Sequence, residues 1–148
     1  MLKRFLLPLL LLPLLFAGCR CHREQVVLNA TPQFDNEVVW RLASIRGKAV
    51  NYEEGQKAIT LQLNPEACTF SGCSGCNQYF GAYTSTPEGT LALSEINGTK
   101  MACPEPWMRL ERQYMQALNK ADHYRLGEYQ LELLQGETVI LSFDKTSK

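Results

Sequence analysis

The chain lacks three features that would point directly to a common chemistry. It has no run of three like charges, only two histidines (His22 and His123), and no apolar stretch of the length a membrane-spanning helix needs, about 18–20 residues. The missing charge block argues against a nucleic-acid binder, which carries a basic patch, and against a domain held to membranes by electrostatics alone. Neither histidine has a serine, acid and nucleophile grouped around it in sequence, so no catalytic residue, metal site or cofactor is expected. A single Cys-x-x-Cys (Cys73 to Cys76) falls short of the two spaced knuckles of a cysteine-ligated zinc site.

The first nineteen residues carry the clearest signal. Lys3 and Arg4 precede an apolar run from Phe5 to Phe16 that is interrupted by Pro8 and Pro13, and Ala17-Gly18-Cys19 closes it. That is the layout of a secretory signal peptide, and its small-small-Cys ending resembles the lipobox of bacterial lipoproteins. The resemblance implies cleavage after residue 18 and acylation of Cys19, which fastens the mature chain to a membrane. Arg20 stands where an aspartate would favour retention at the inner membrane, so the expected location is the outer membrane, with the domain facing the periplasm. Residues 20–36 show little periodicity and are expected to form a flexible tether.

Removing residues 1–18 leaves 130 residues with 13 basic and 15 acidic side chains, enough for one domain with a sizeable core. Six cysteines in an exported chain read first as disulfides. With Cys19 acylated, Cys21, Cys68, Cys73, Cys76 and Cys103 remain, and Cys21 is the expected odd one out.

From Val38 onward, apolar residues alternate. Val38, Trp40 and Leu42 mark one strand, and Ile59, Leu61 and Leu63 the next after a turn at Gly47. Residues 67–71 suggest a short strand, and Tyr79, Gly81 and Tyr83 share one side of another. Thr86-Pro87-Glu88-Gly89 is a turn signal before Leu91 and Leu93. Asn97-Gly98-Thr99 matches a glycosylation pattern but reads more simply as a turn. A helix begins near Pro104, with Trp107, Leu110, Tyr114, Ala117 and Leu118 on one stripe. Three strands end the chain, around Tyr124, Leu131 and Leu141, joined by hairpins at Gly127-Glu128 and Gln135-Gly136-Glu137. The expected fold is mainly β (α+β): a small antiparallel curled sheet or cracked β-barrel with one helix.

With these elements in order, the chain resembles the META domain family, also called HslJ-like. The resemblance rests on Trp40-Arg41-Leu42 with Gly47, on Gly75-Cys76-Asn77 followed by Gly81 and Tyr83, and on Thr99-Lys100-Met101-Ala102-Cys103. It spans residues 37–145, nearly all of the mature domain. It implies a cracked barrel similar in architecture to secretin pilotins, without established catalytic residues, and it implies a Cys76–Cys103 disulfide. Cys68 and Cys73 depart from the pattern and would then pair with each other. Gly75, Asn77 and Gly81 are expected to serve backbone geometry.

The leading expectation is a non-enzymatic, lipid-anchored envelope protein that supports envelope integrity or stress tolerance by binding another, unknown envelope component. One alternative is a pilotin-like carrier, which would grip a helix or acyl chain in a groove beside Trp107, Leu110, Tyr114 and Leu118. The other is a thiol–disulfide oxidoreductase using Cys73 and Cys76, although Gly72, Gly75 and Asn77 break up the helix such a pair normally opens.

Overall fold

The computed structural model describes residues 34–146; the expected signal peptide, Cys19, Cys21, His22 and most of the expected tether lie outside the described residues. Nine strands and one helix follow in the order β1 (Val39–Ile45), β2 (Lys48–Ala49), β3 (Thr60–Asn64), β4 (Thr69–Cys73), β5 (Gln78–Ser85), β6 (Leu91–Gly98), α1 (Glu105–Leu118), β7 (His123–Leu126), β8 (Gln130–Gln135) and β9 (Thr138–Thr146). They form one antiparallel sheet in the order β6-β5-β4-β3-β1-β9-β8-β7, with β2 hairpinned onto β1. The sheet curls but does not close. Its edges meet at one bridge, Thr90 with His123, where the Leu91 amide donates to the Asp122 carbonyl at 2.9 Å and the Tyr124 amide to Gly89 at 2.7 Å. Beyond Leu91 the outer edge of β6 pairs with no other strand among the described residues.

Local chemistry explains most of these elements. Alternation buries Trp40 and Leu42 on β1, Leu61 and Leu63 on β3, and Tyr79 and Tyr83 on β5. The β1–β2 turn places both Arg46 (φ 49°) and Gly47 (φ 74°) in the left-handed region, the geometry of a two-residue hairpin matched to strand twist. Pro106 lies in the first turn of α1, where a missing N–H leaves no helical bond unmade. Asn64 accepts from the Glu66 and Ala67 amides, so the turn after β3 runs through Cys68. That moves β4 to Thr69–Cys73, two residues later than expected. Asn97 and Gly98 extend β6 opposite Phe80 and Tyr79 instead of forming a turn.

The core fills the concave side of the sheet, and α1 covers it. Tyr114, Ala117 and Leu118 are buried against Phe70, Tyr79 and Phe143. Phe34 joins the core as well, edge-on to Tyr83 at 5.7 Å between centroids and tilted against Tyr124 at 4.8 Å. Residues 34–36 therefore belong to the domain and not to the tether, because an aromatic ring buried between two others anchors the chain before β1 begins.

One polar pair lies in this core. The Tyr79 hydroxyl donates to the Thr60 carbonyl at 2.8 Å, so the Tyr114 hydroxyl donates to Tyr79. Burial pushes both phenols upward from their ordinary range and keeps them neutral. The chain of donors makes the two tyrosines unequal. Tyr114→Phe removes one bond and leaves only an acceptor unmet, for an expected loss of about 1 kcal/mol. Tyr79→Phe strands the buried Tyr114 hydroxyl and uncovers the Thr60 carbonyl, for about 2–3 kcal/mol. Denaturant melts of the two variants should preserve that order.

Candidate functional site: a stapled groove beside the helix

The Gly-Cys-Asn motif occupies the β4–β5 turn. The Ser74 amide donates to the Asn77 carbonyl at 2.8 Å, and Gly75 supplies the positive φ (97°) that the first central turn position requires. That turn aims the Asn77 side chain at two other segments. Its Oδ1 accepts from the Met101 amide at 2.7 Å and the Thr99 hydroxyl at 2.8 Å. Its Nδ2 donates to Glu111 Oε2 at 3.1 Å and to the Met101 carbonyl at 3.4 Å. The Ser74 hydroxyl bonds the other oxygen of Glu111. Asn77 thus ties the turn, the 99–101 segment and the helix together while only 8% exposed.

A covalent tie stands next to it. Cys76 is bonded to Cys103, with 6.1 Å between their Cα atoms. Among the described residues Cys68 and Cys73 are both free thiols, the first exposed and the second buried, which corrects the pairing expected between them. They flank β4 end to end, and five extended residues span about 16 Å, far beyond the roughly 7 Å limit between Cα atoms of a disulfide. The Cys-x-x-Cys is likewise not a bonded pair, since Cys76 is joined to Cys103 and Cys73 is a buried thiol without a disulfide partner among the described residues.

These ties hold open a groove of about 720 Å³ between α1 and the end of β6. Met101, Met108 and Met115 line it together with Ile96 and Tyr79, and Ser74, Asn77 and Glu111 lie along it. Met101 is 51% exposed. The expected groove residues fall elsewhere. Tyr114 and Leu118 are fully buried core, and Trp107 is half-buried with its ring over Gly55. Leu110 lines a second depression, on the opposite flank of the helix. The apolar stripe is what α1 buries, so a groove beside the helix is walled by the flanking residues.

The remaining motif residues are structural. Trp40 and Tyr83 are core residues. Gly81 permits a close approach, since a Cβ there would stand 2.6 Å from both the Phe70 ring and the Ser94 carbonyl. His123 Nδ1 pairs with Asp122 Oδ1 at 2.8 Å, an oxygen that also accepts from the Gly136 amide at 2.7 Å. The hydrogen bond to His123 holds the Asp122 carboxyl below its ordinary range. Among the described residues, no group of three or more His, Cys, Asp or Glu side chains is placed to hold a metal ion. Ser74, Glu111, Met108 and Met115 were not singled out from sequence. Glu111 reads there as one more polar residue on the outer face of a helix, and only its position eight residues past Cys103, the end of the Thr-Lys-Met-Ala-Cys motif, hints at a link.

Comparison with known proteins agrees with this fold. A protein from Burkholderia xenovorans, solved by NMR, is 30% identical, with a TM-score of 0.64 over 80% of this chain and 88% of its own. A second NMR structure (21% identity, TM-score 0.56, 73% of this chain and 89% of that one) shares the fold. So does the crystal structure of a DUF4847 family protein from Bacteroides vulgatus (16% identity, TM-score 0.50, 74% and 92%). No curated protein matches the chain. The family model for the META domain matches residues 33–148, which include every tie described above, and the chain belongs to the META domain family.

Proposed function

We propose that this chain is a non-enzymatic, lipid-anchored protein of the cell envelope, held at the outer membrane through Cys19 with its domain facing the periplasm. Its META domain binds another envelope component in the methionine-lined groove and so serves envelope integrity or stress tolerance. The observation that carries the reading is the division of labour around Asn77. Hydrogen bonds and a disulfide make the frame rigid, while three methionines, flexible and polarizable, offer an adaptable wall. That combination suits recognition of an apolar segment. The lipobox supports the location, because two or three acyl chains at about 0.8 kcal/mol per buried methylene make anchoring effectively permanent.

A photo-crosslinking residue placed at Met101 or Met108 in intact cells should capture a discrete envelope component, whereas one at Glu137, on the β8–β9 turn, should not. Equal capture at all three positions, or none at the first two, removes the groove from the proposal. A secretin as the captured partner would favour the pilotin-like carrier. Cys19→Ala should release the protein into the soluble periplasm, which checks the anchor separately.

A further inference from the structure

The described residues carry ten basic and fourteen acidic side chains, so any groove would be expected to meet carboxylates at least as often as cations. The depression between the β1–β2 hairpin and the C-terminal half of α1 does the opposite. Arg46, Lys48 and Lys120 line it, and no carboxylate does. None of the three has an ion-pair partner among the described residues, a state they share with every other lysine and arginine there except Arg112 and Arg125, so what sets them apart is their gathering around one depression. Arg46 sits at the hairpin tip, and Lys120 just past the end of α1, where it offsets the partial negative charge of the last carbonyls. Between these cations the floor is apolar, formed by Val50, Leu110 and Ala117.

Three cations without a carboxylate partner around one cavity repel each other, and an anion placed among them relieves that repulsion. The cavity, about 440 Å³, is several times the size of an inorganic phosphate, which would also leave the apolar floor bare. A nucleic acid would need a longer basic stripe or stacking aromatics, and the lining supplies neither. An anionic group carried on a short stretch of hydrocarbon satisfies both rim and floor. We propose that this groove binds the phosphate-bearing headgroup of an anionic lipid. Arg46, Lys48 and Lys120 face the phosphate, and Val50, Leu110 and Ala117 pack against the glycerol and first methylenes. The site is separate from the methionine-lined groove and does not depend on how the chain is anchored.

Nuclear magnetic resonance of the full chain in neutral detergent tests this directly. Titration with dihexanoyl phosphatidylglycerol should shift resonances of residues 46–51 and of Gln113, Gln116 and Lys120, saturably. The zwitterionic dihexanoyl phosphatidylcholine and inorganic phosphate should each bind at least about tenfold more weakly. Replacing all three cations (R46Q/K48Q/K120Q) should weaken phosphatidylglycerol binding by at least about tenfold. The control K57Q/R109Q/K145Q removes three exposed cations elsewhere and should leave binding unchanged. Equal binding of inorganic phosphate overturns the lipid assignment, and equal weakening by the control overturns the site. Shifts scattered over the whole domain overturn it as well, and that result needs no variant to fold.

Discussion

Replacing both Cys76 and Cys103 by alanine should lower the stability of the domain by about 3–4 kcal/mol. The bond closes a loop of 27 residues, and the conformational freedom it removes from the unfolded chain accounts for that magnitude. For a domain of this size the melting temperature should fall by about 10 °C or more. The loss should be felt most in the 99–104 segment, which belongs to no strand and is held by this bond, by Asn77 and, at Thr99, by the backbone of Gln78. Thiol mapping gives an independent check. Cys68 should label in the native protein, and Cys73 only after unfolding, because it is buried at the end of β4. Rapid native labelling of Cys73, or a Cys68–Cys73 crosslink, would contradict the arrangement and revive the thiol–disulfide reading.

Asn77→Asp should be as damaging as any single change, and its cost should depend on pH. Asn77→Ala deletes the amide's bonds and leaves the Met101 amide and the Thr99 hydroxyl without their acceptor, for about 2–3 kcal/mol. The aspartate keeps that acceptor. It also replaces the Nδ2 donor with an oxygen 3.1 Å from Glu111 Oε2, setting two carboxylates against each other in a shielded site. Like charges so close raise the pair's pKa in the folded state above its unfolded value. Stability contributed by the protonated form is therefore present at low pH and lost as pH rises through the raised folded value. The variant should be weakest near neutrality and regain stability relative to wild type as pH falls toward 4, when one carboxyl takes a proton and donates to the other. Chemical denaturation across that range reads the effect, and a flat difference between variant and wild type would rule out the contact with Glu111.

Local signals in the sequence were enough for the helix and for eight of the nine strands, though not for every boundary: β4 begins two residues late, β6 runs through Asn97 and Gly98, and the two-residue β2 lies in what reads as a loop. Alternation at Trp40, Leu61, Tyr79 and Leu131 marks strands because one face of a curled sheet must be apolar, and residues on that face recur every second position. The stripe through Leu110, Tyr114 and Leu118 follows from the helical repeat in the same way. The motif residues Asn77 and Thr99 could be picked out too, though not their purpose, since the acceptor and donor they share are 22 residues apart in the chain. The free edge of β6 was beyond local reading. Whether a curled sheet closes depends on the summed twist and register of all its strands, which no single segment carries.

What the sequence by itself determined is therefore everything with a short period or a fixed local geometry: eight of the nine strands in outline, one amphipathic helix, the glycine turns and the family motifs. Tertiary structure alone decided which distant residues meet. It drew Phe34 into the core, turned Glu111 toward Asn77, kept Cys68 and Cys73 apart at the two ends of a strand, and gathered Arg46, Lys48 and Lys120 around one depression. Each of those outcomes depends on how the sheet curls and where the helix lies across it. Those are properties of packing among segments far apart in the chain, and a pattern read along a few neighbouring residues does not contain them.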